Sequence, residues 1–104
     1  MISHVSDDDF RREVLMEKGL VIADFSAEWC MPCKMLHRVL EKISNRNEDI
    51  KIVDIDVDES PEISNKYGIN NLPTLILFKN GRPVYEIIGF VPEEYIEDAI
   101  EENL

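Results

Sequence analysis

The sequence predicts an α/β fold in which a central, mixed five-stranded sheet is flanked by four helices. Three observations carry that reading. Two segments, "LVIADFSA" (20–27) and "IKIVDIDV" (50–57), are almost continuously apolar or β-branched, as expected of strands covered on both faces. Apolar residues recur at helical spacing between and after them. Two further strand-like runs are joined by Asn80-Gly81, a pair that closes tight hairpins.

In chain order, "ISHV" (2–5) reads as a short edge strand. Ser6 is a good helix N-cap, and the aspartates that follow it suit the positive end of the helix dipole. Phe10, Val14 and Leu15 form that helix's inner face, and Gly19 ends it. The 20–27 strand leads to Pro32, which is tolerated at a first helical position. Met35, Leu36, Val39, Leu40 and Ile43 then continue a long helix. After the 50–57 strand, residues 60–67 read as a short helix stopped by Gly68. The hairpin pairs "TLILFK" (74–79) with "RPVYEII" (82–88), and Gly89 breaks its second strand. Pro92 opens a last helix with Glu93 and Glu94 in its first turn and Tyr95, Ile96, Ala99 and Ile100 facing inward. Its remaining acids, Glu97, Asp98, Glu101 and Glu102, oppose the dipole at the far end. The order βαβαβαββα makes parallel strands with helical crossovers, then an antiparallel hairpin.

A chain of 104 residues is one domain's worth and can bury a core without disulfide staples. It carries 22 acidic against 11 basic residues, a formal charge of −11. Nucleic acid and anionic lipid surfaces are therefore poor partners, and basic protein surfaces better ones. No apolar stretch of signal-peptide length opens the chain, and none is long enough to span a bilayer, so a cytoplasmic location is expected.

Both cysteines, Cys30 and Cys33, lie within "AEWCMPCKML", directly after the only tryptophan, Trp29. In a reducing compartment this spacing points to redox chemistry or half of a metal site. Zinc prefers four ligands, yet there is no third cysteine, and His4 and His37 are the only histidines. His37 reads as a solvated helix residue, and no metal is expected. Disulfide exchange needs a thiolate and a second thiol beside it. Cys30, just before the helix, would receive unpaired N–H groups and the positive dipole end, which favour its thiolate. It is the candidate nucleophile. Cys33, one turn inside, suits the resolving role, and Pro32 stiffens the link between them.

Asp24 lies mid-strand, where a charge is costly unless paired or protonated. It reads either as an aspartate at a bend or polar gap, or as a perturbed acid of a reactive site. The alternating Asp54, Asp56 and Asp58 suggest a calcium loop, but position six is Glu59 instead of glycine and position twelve is Asn65 instead of glutamate. Calcium is rejected. Leu72-Pro73 reads generically as a trans peptide.

From end to end the chain resembles the thioredoxin family. "ADFSAEWCMPCKM", "NNLPTLILFKNG" and Gly89 stand in that family's order and spacing. A bare C-x-x-C is a weak signal, whereas Trp-Cys-x-Pro-Cys-Lys after a strand carrying Asp24 is a specific one. The resemblance implies one thioredoxin domain over residues 1–104, acting as a monomeric reductase of protein disulfides with no prosthetic group. Cys30 and Cys33 would cycle between dithiol and disulfide, with disulfide-containing client proteins and a thioredoxin reductase as partners. Asp24 would be the buried acid that exchanges a proton with Cys33 through water. The Leu72-Pro73 peptide would be cis, and Trp29, Met31, Pro32, Leu72, Pro73, Ile88, Gly89 and Phe90 would form an apolar docking surface.

Four positions depart from the family pattern. Met31 replaces the usual glycine between the cysteines, Phe90 a small residue, Arg38 a proline in the long helix, and Asp54 the lysine that commonly faces the buried aspartate. Two other readings therefore stand beside the general reductase. Met31 and Phe90 suggest a dedicated electron donor to one client, and the fold could also serve as a binding subunit with idle cysteines. The intact C-x-x-C with Asp24 and Pro73 argues against the last.

Overall fold

The computed structural model describes residues 1–104. Five strands form one sheet: β1 (Ile2–His4), β2 (Leu20–Ser26), β3 (Lys51–Asp56), β4 (Thr74–Lys79) and β5 (Arg82–Ile88). Their order is β1-β3-β2-β4-β5. β3 pairs in parallel with β1 and β2, while β4 runs antiparallel to both β2 and β5. Three α-helices, α1 (Met31–Arg46), α2 (Pro61–Lys66) and α3 (Glu93–Asn103), join a short π-helix at Arg11–Leu15 in covering the sheet. The predicted mixed sheet with four helices is what the chain forms. No helix is long and apolar enough to cross a membrane.

Strand alternation divides the core. On one face Leu20, Ile22, Ile52, Leu75 and Leu77 pack beneath Leu36, Leu40 and Ile43 of α1 and Ile96 and Ile100 of α3. On the other, Val21, Ala23, Phe25, Val53, Ile55, Ile76 and Phe78 pack against Phe10 and Val14, with Ile63 and Tyr67 beside them. Residues two apart in a strand share a face. Asp24 therefore follows Leu20 and Ile22 onto the α1 face, as Asp54 follows Ile52.

Four local readings are corrected. Ser6 does not cap a helix with its side chain; its N–H donates to Asp9 Oδ1 at 2.7 Å, and the helix that follows is five π-type residues. Leu15 is only half-buried there. Met31 is the first residue of α1, with Pro32 second. Tyr95 does not face the core: it is 48% exposed, its hydroxyl 3.3 Å from that of Tyr85. The acids that oppose the α3 dipole are partly answered. The Asn103 amide donates to the Ala99 carbonyl, Lys79 Nζ donates to the Asn103 carbonyl, and Glu97 meets Arg46 at 3.8 Å. With Arg38 in place of a proline, α1 runs unbroken for 16 residues.

The hairpin turn also docks. Asn80 (φ 51°) and Gly81 (φ 82°) both adopt the positive φ that a tight hairpin requires. Asn80 N–H donates to the Gly19 carbonyl at 3.0 Å, and Gly19 N–H donates to Asn80 Oδ1 at 2.9 Å. A Cβ on Gly81 would run into the Leu15 carbonyl, whereas one on Gly68 (φ 64°) would meet nothing within 4 Å. Gly68→Ala should thus cost only the left-handed strain of about 1–2 kcal/mol. Gly81→Ala should cost more, because backbone must also move. Urea unfolding of both variants checks this; equal midpoints would contradict the steric account.

Candidate active site

α1 begins just beyond the C-terminal end of the central strand β2, and Cys30 is its N-cap, in an extended conformation. The Cys30 sulfur accepts the Cys33 N–H at 3.3 Å, one of the donors that a helix start leaves unpaired. Cys30 and Cys33 are joined in a disulfide, their Cα atoms 5.3 Å apart. Both residues are nearly enclosed, at 6% and 3% exposure, so solvent access alone distinguishes them little. What differs is the side each one faces.

Cys30 lines an open, mostly apolar groove of about 580 Å³. Trp29, Met31 and Pro32 form one wall and Leu72 part of the other. The sequence reading missed Val57, Ile69, Asn70 and Asn71, which complete it. Asn70 and Asn71 stand directly before Leu72 in the segment that carries the resemblance, whereas Val57 and Ile69 carried no local signal. Trp29 and Met31 are 72% and 65% exposed, and the indole N–H donates to Asp58 Oδ2 at 2.9 Å. Asp58, set aside with the calcium pattern, thus positions the tryptophan.

The Leu72-Pro73 peptide is cis. The N–H and C=O of Leu72 make no hydrogen bond within the chain. Pro73 itself is buried, and its carbonyl accepts the Gly89 N–H at 2.7 Å. Pro73, Ile88, Gly89 and Phe90 do not line the groove. Through that hydrogen bond and the pairing of Thr74 with Ile88, the last three form an adjoining surface, with Ile88 and Phe90 exposed.

Cys33 faces a second cavity of about 220 Å³, shared with Ser26, Glu28, Lys34, His37, Asp54 and Asp56. His37 is half-buried in this wall, not simply solvated. Asp24 does not line it but has a carboxylate oxygen within 4.8 Å of ligand atoms of His37 and Asp54; it is fully buried, and neither of its oxygens has a hydrogen-bond partner. Asp24 is paired in register with Asp54 of β3. Asp54 is itself held: Ser26 Oγ donates to its Oδ1 at 2.9 Å, and His4 Nδ1 lies 3.2 Å from its Oδ2. Contacts with Glu59 and then Asp54 raise the His4 pKa. Burial, with the Asp54 charge second, pushes the Asp24 pKa well above the usual carboxylate range.

The stability consequence has a definite sign. The folded state holds the Asp24 proton more tightly than the unfolded chain, where the pKa is about 3.9. Its contribution to stability is full below that unfolded value and is lost as pH rises through the folded pKa. Relative to wild type, Asp24→Asn should gain about 1.4 kcal/mol per pH unit above ~3.9 until the folded pKa is reached, then hold that gain. Denaturant unfolding from acid to alkaline pH measures it; parallel stability curves would rule out a strained buried acid.

The thioredoxin family model matches residues 1–102. The chain is 43% identical to the thioredoxin of Listeria monocytogenes over 101 residues, covering 96% of each. It is 41% identical to that of Bacillus subtilis over 104 residues, covering 99% of this chain and 98% of the other. Thioredoxin 1 of a Nostoc species is 38% identical over 103 residues, at 98% and 96% coverage. A disulfide at a helix N-terminus, packed against the Leu72 of a cis Leu72-Pro73 peptide on a fold that this family model spans almost completely, leads to one conclusion: the chain belongs to the thioredoxin family and is a thiol–disulfide oxidoreductase.

Proposed function

We propose that the protein reduces disulfides of client proteins in the cytoplasm, as a monomeric redox carrier recharged by a thioredoxin reductase. The observation that supports this best is the placement of the Cys30–Cys33 pair between two unlike cavities. In the reduced protein the Cys30 thiolate, favoured by the helix N-terminus, attacks a client disulfide sulfur from the groove. One client sulfur leaves as a thiolate, and Cys30 is joined to the other. Cys33 then attacks Cys30, releasing the second client thiolate and closing the Cys30–Cys33 disulfide. Two electrons pass to the client. Asp24, buried with a carboxylate oxygen within 4.8 Å of ligand atoms of His37 and Asp54 in the wall of the Cys33 cavity, takes the Cys33 proton through water in this reading.

Client binding follows from the same surfaces. The free N–H and C=O of Leu72 can pair with an extended client segment, while Trp29 and Met31 supply apolar contact. The net charge of −11 favours partners with basic surfaces. Having both cysteines in the reactive pair suits a reducing compartment.

Cys33→Ser should accumulate a mixed disulfide with a disulfide-bonded test client, while Cys30→Ser should accumulate none. Non-reducing gels read the outcome, and trapping by Cys30→Ser instead would reverse the assignment. Met31 separates a general reductase from a dedicated donor, because its exposed side chain stands where the family usually has none. Met31→Gly should alter reductase or client kinetics while moving the reduction potential by less than about 30 mV, or ~1.4 kcal/mol for two electrons. A larger potential shift with unchanged kinetics would contradict that role.

A further inference from the structure

Behind the disulfide, His37 and Asp54, to which the exchange of sulfurs gives no role, come together with Asp24. One ligand atom from each of Asp24, His37 and Asp54 lies within 4.8 Å of the other two. They come from β2, α1 and β3 and are joined by strand alternation and helix placement, not by proximity in sequence. Asp24 adds a second, independent sign: it is fully buried among these groups, yet both of its oxygens lack a partner.

We propose that Asp24, His37 and Asp54 form a binding site for one divalent transition-metal ion, zinc being the best match. One imidazole and two carboxylates are a donor set that zinc accepts at about 2.0–2.2 Å, and three protein ligands leave its fourth position to water. The cavity beside them, about 220 Å³, has room for that water. Three atoms at the limiting mutual spacing of 4.8 Å would each lie about 2.8 Å from a central ion. Binding then requires each donor to close by at most roughly 0.6–0.8 Å. His37 can make that adjustment because it is a half-buried helix side chain at the cavity wall.

The surroundings suit a cation. Two carboxylates in register on one sheet face repel each other, and an ion between them removes that cost. Charged groups on the wall are Glu28, Asp54 and Asp56 against Lys34, so the field is negative. Outer groups already orient the ligands. Ser26 donates to Asp54 Oδ1, His4 faces Asp54 Oδ2, and Glu41 lies 3.5 Å from His37 Nε2. Magnesium is disfavoured, because it prefers oxygen ligands and keeps several waters.

An ion held here would bind Asp24 as a carboxylate and withhold it from the Cys33 proton. The site would therefore be inhibitory toward resolution, and that consequence alone rests on the functional reading above.

The test uses the oxidised protein, whose disulfide prevents the cysteines from binding metal themselves. Titration with zinc chloride in a calorimeter should show one ion per chain. His37→Ala, Asp54→Asn and Asp24→Asn should each weaken it at least tenfold, with far-UV circular dichroism confirming that each variant is folded. Cobalt chloride should give the visible absorption of a four-coordinate ion, lost in His37→Ala. Non-saturable binding would overturn the site. So would one-to-one binding undiminished in His37→Ala and Asp54→Asn, which would put the ion elsewhere on the acidic surface. Neither result depends on disulfide reduction, so failure here leaves the functional reading standing.

Discussion

Much of the architecture depends on β2 being the central strand, covered on both faces and paired on both edges. Side chains of such a strand have nowhere to go but the core, and their parity decides which helix they meet. Val21, Ala23 and Phe25 are committed to one face, so Leu20, Ile22 and Asp24 must take the other. A one-residue slip would exchange the two sets and remove the acid from beneath α1. The same strand hands the chain to that helix, so a single register fixes both the disulfide and the carboxylate behind it.

The energetics around the disulfide are uneven by construction. A helix N-terminus offers the Cys30 sulfur the Cys33 N–H, while a few residues away burial and a second carboxylate oppose negative charge on Asp24. One small region thus gives a sulfur a backbone donor and denies a carboxyl any partner. Stability is not what these arrangements maximise. An unpartnered carboxyl in a core is a standing cost, and the large apolar clusters on both sheet faces have to carry it.

Most of the fold was legible because its signals are local. The apolar run around Ile22, the β-branched run around Val53 and the Asn80-Gly81 pair each announce one element without help from distant residues. Failures came where tertiary packing outvoted a local rule. Ser6 looks like a cap, but Asp9 takes its N–H, and Tyr95 looks inward by helical spacing but finds Tyr85 at the surface. The redox pair was legible for the same reason as the hairpin: its chemistry sits within four residues. Val57, Ile69 and His37 were not. Their roles arise from strand order and helix rotation, which bring distant residues to the walls of two cavities and leave no mark at any one position.

The disulfide separates those two cavities. Cys30 looks into the apolar groove, and Cys33 into the acidic cavity on the other side. A client seated in the groove would therefore cover the sulfur that holds it while leaving the rear opening wet. Electrons and protons would travel by different doors. On the proposed function, water in the acidic cavity would serve the back of the pair while a client seals the front, so tight docking and rapid proton exchange need not compete for the same space.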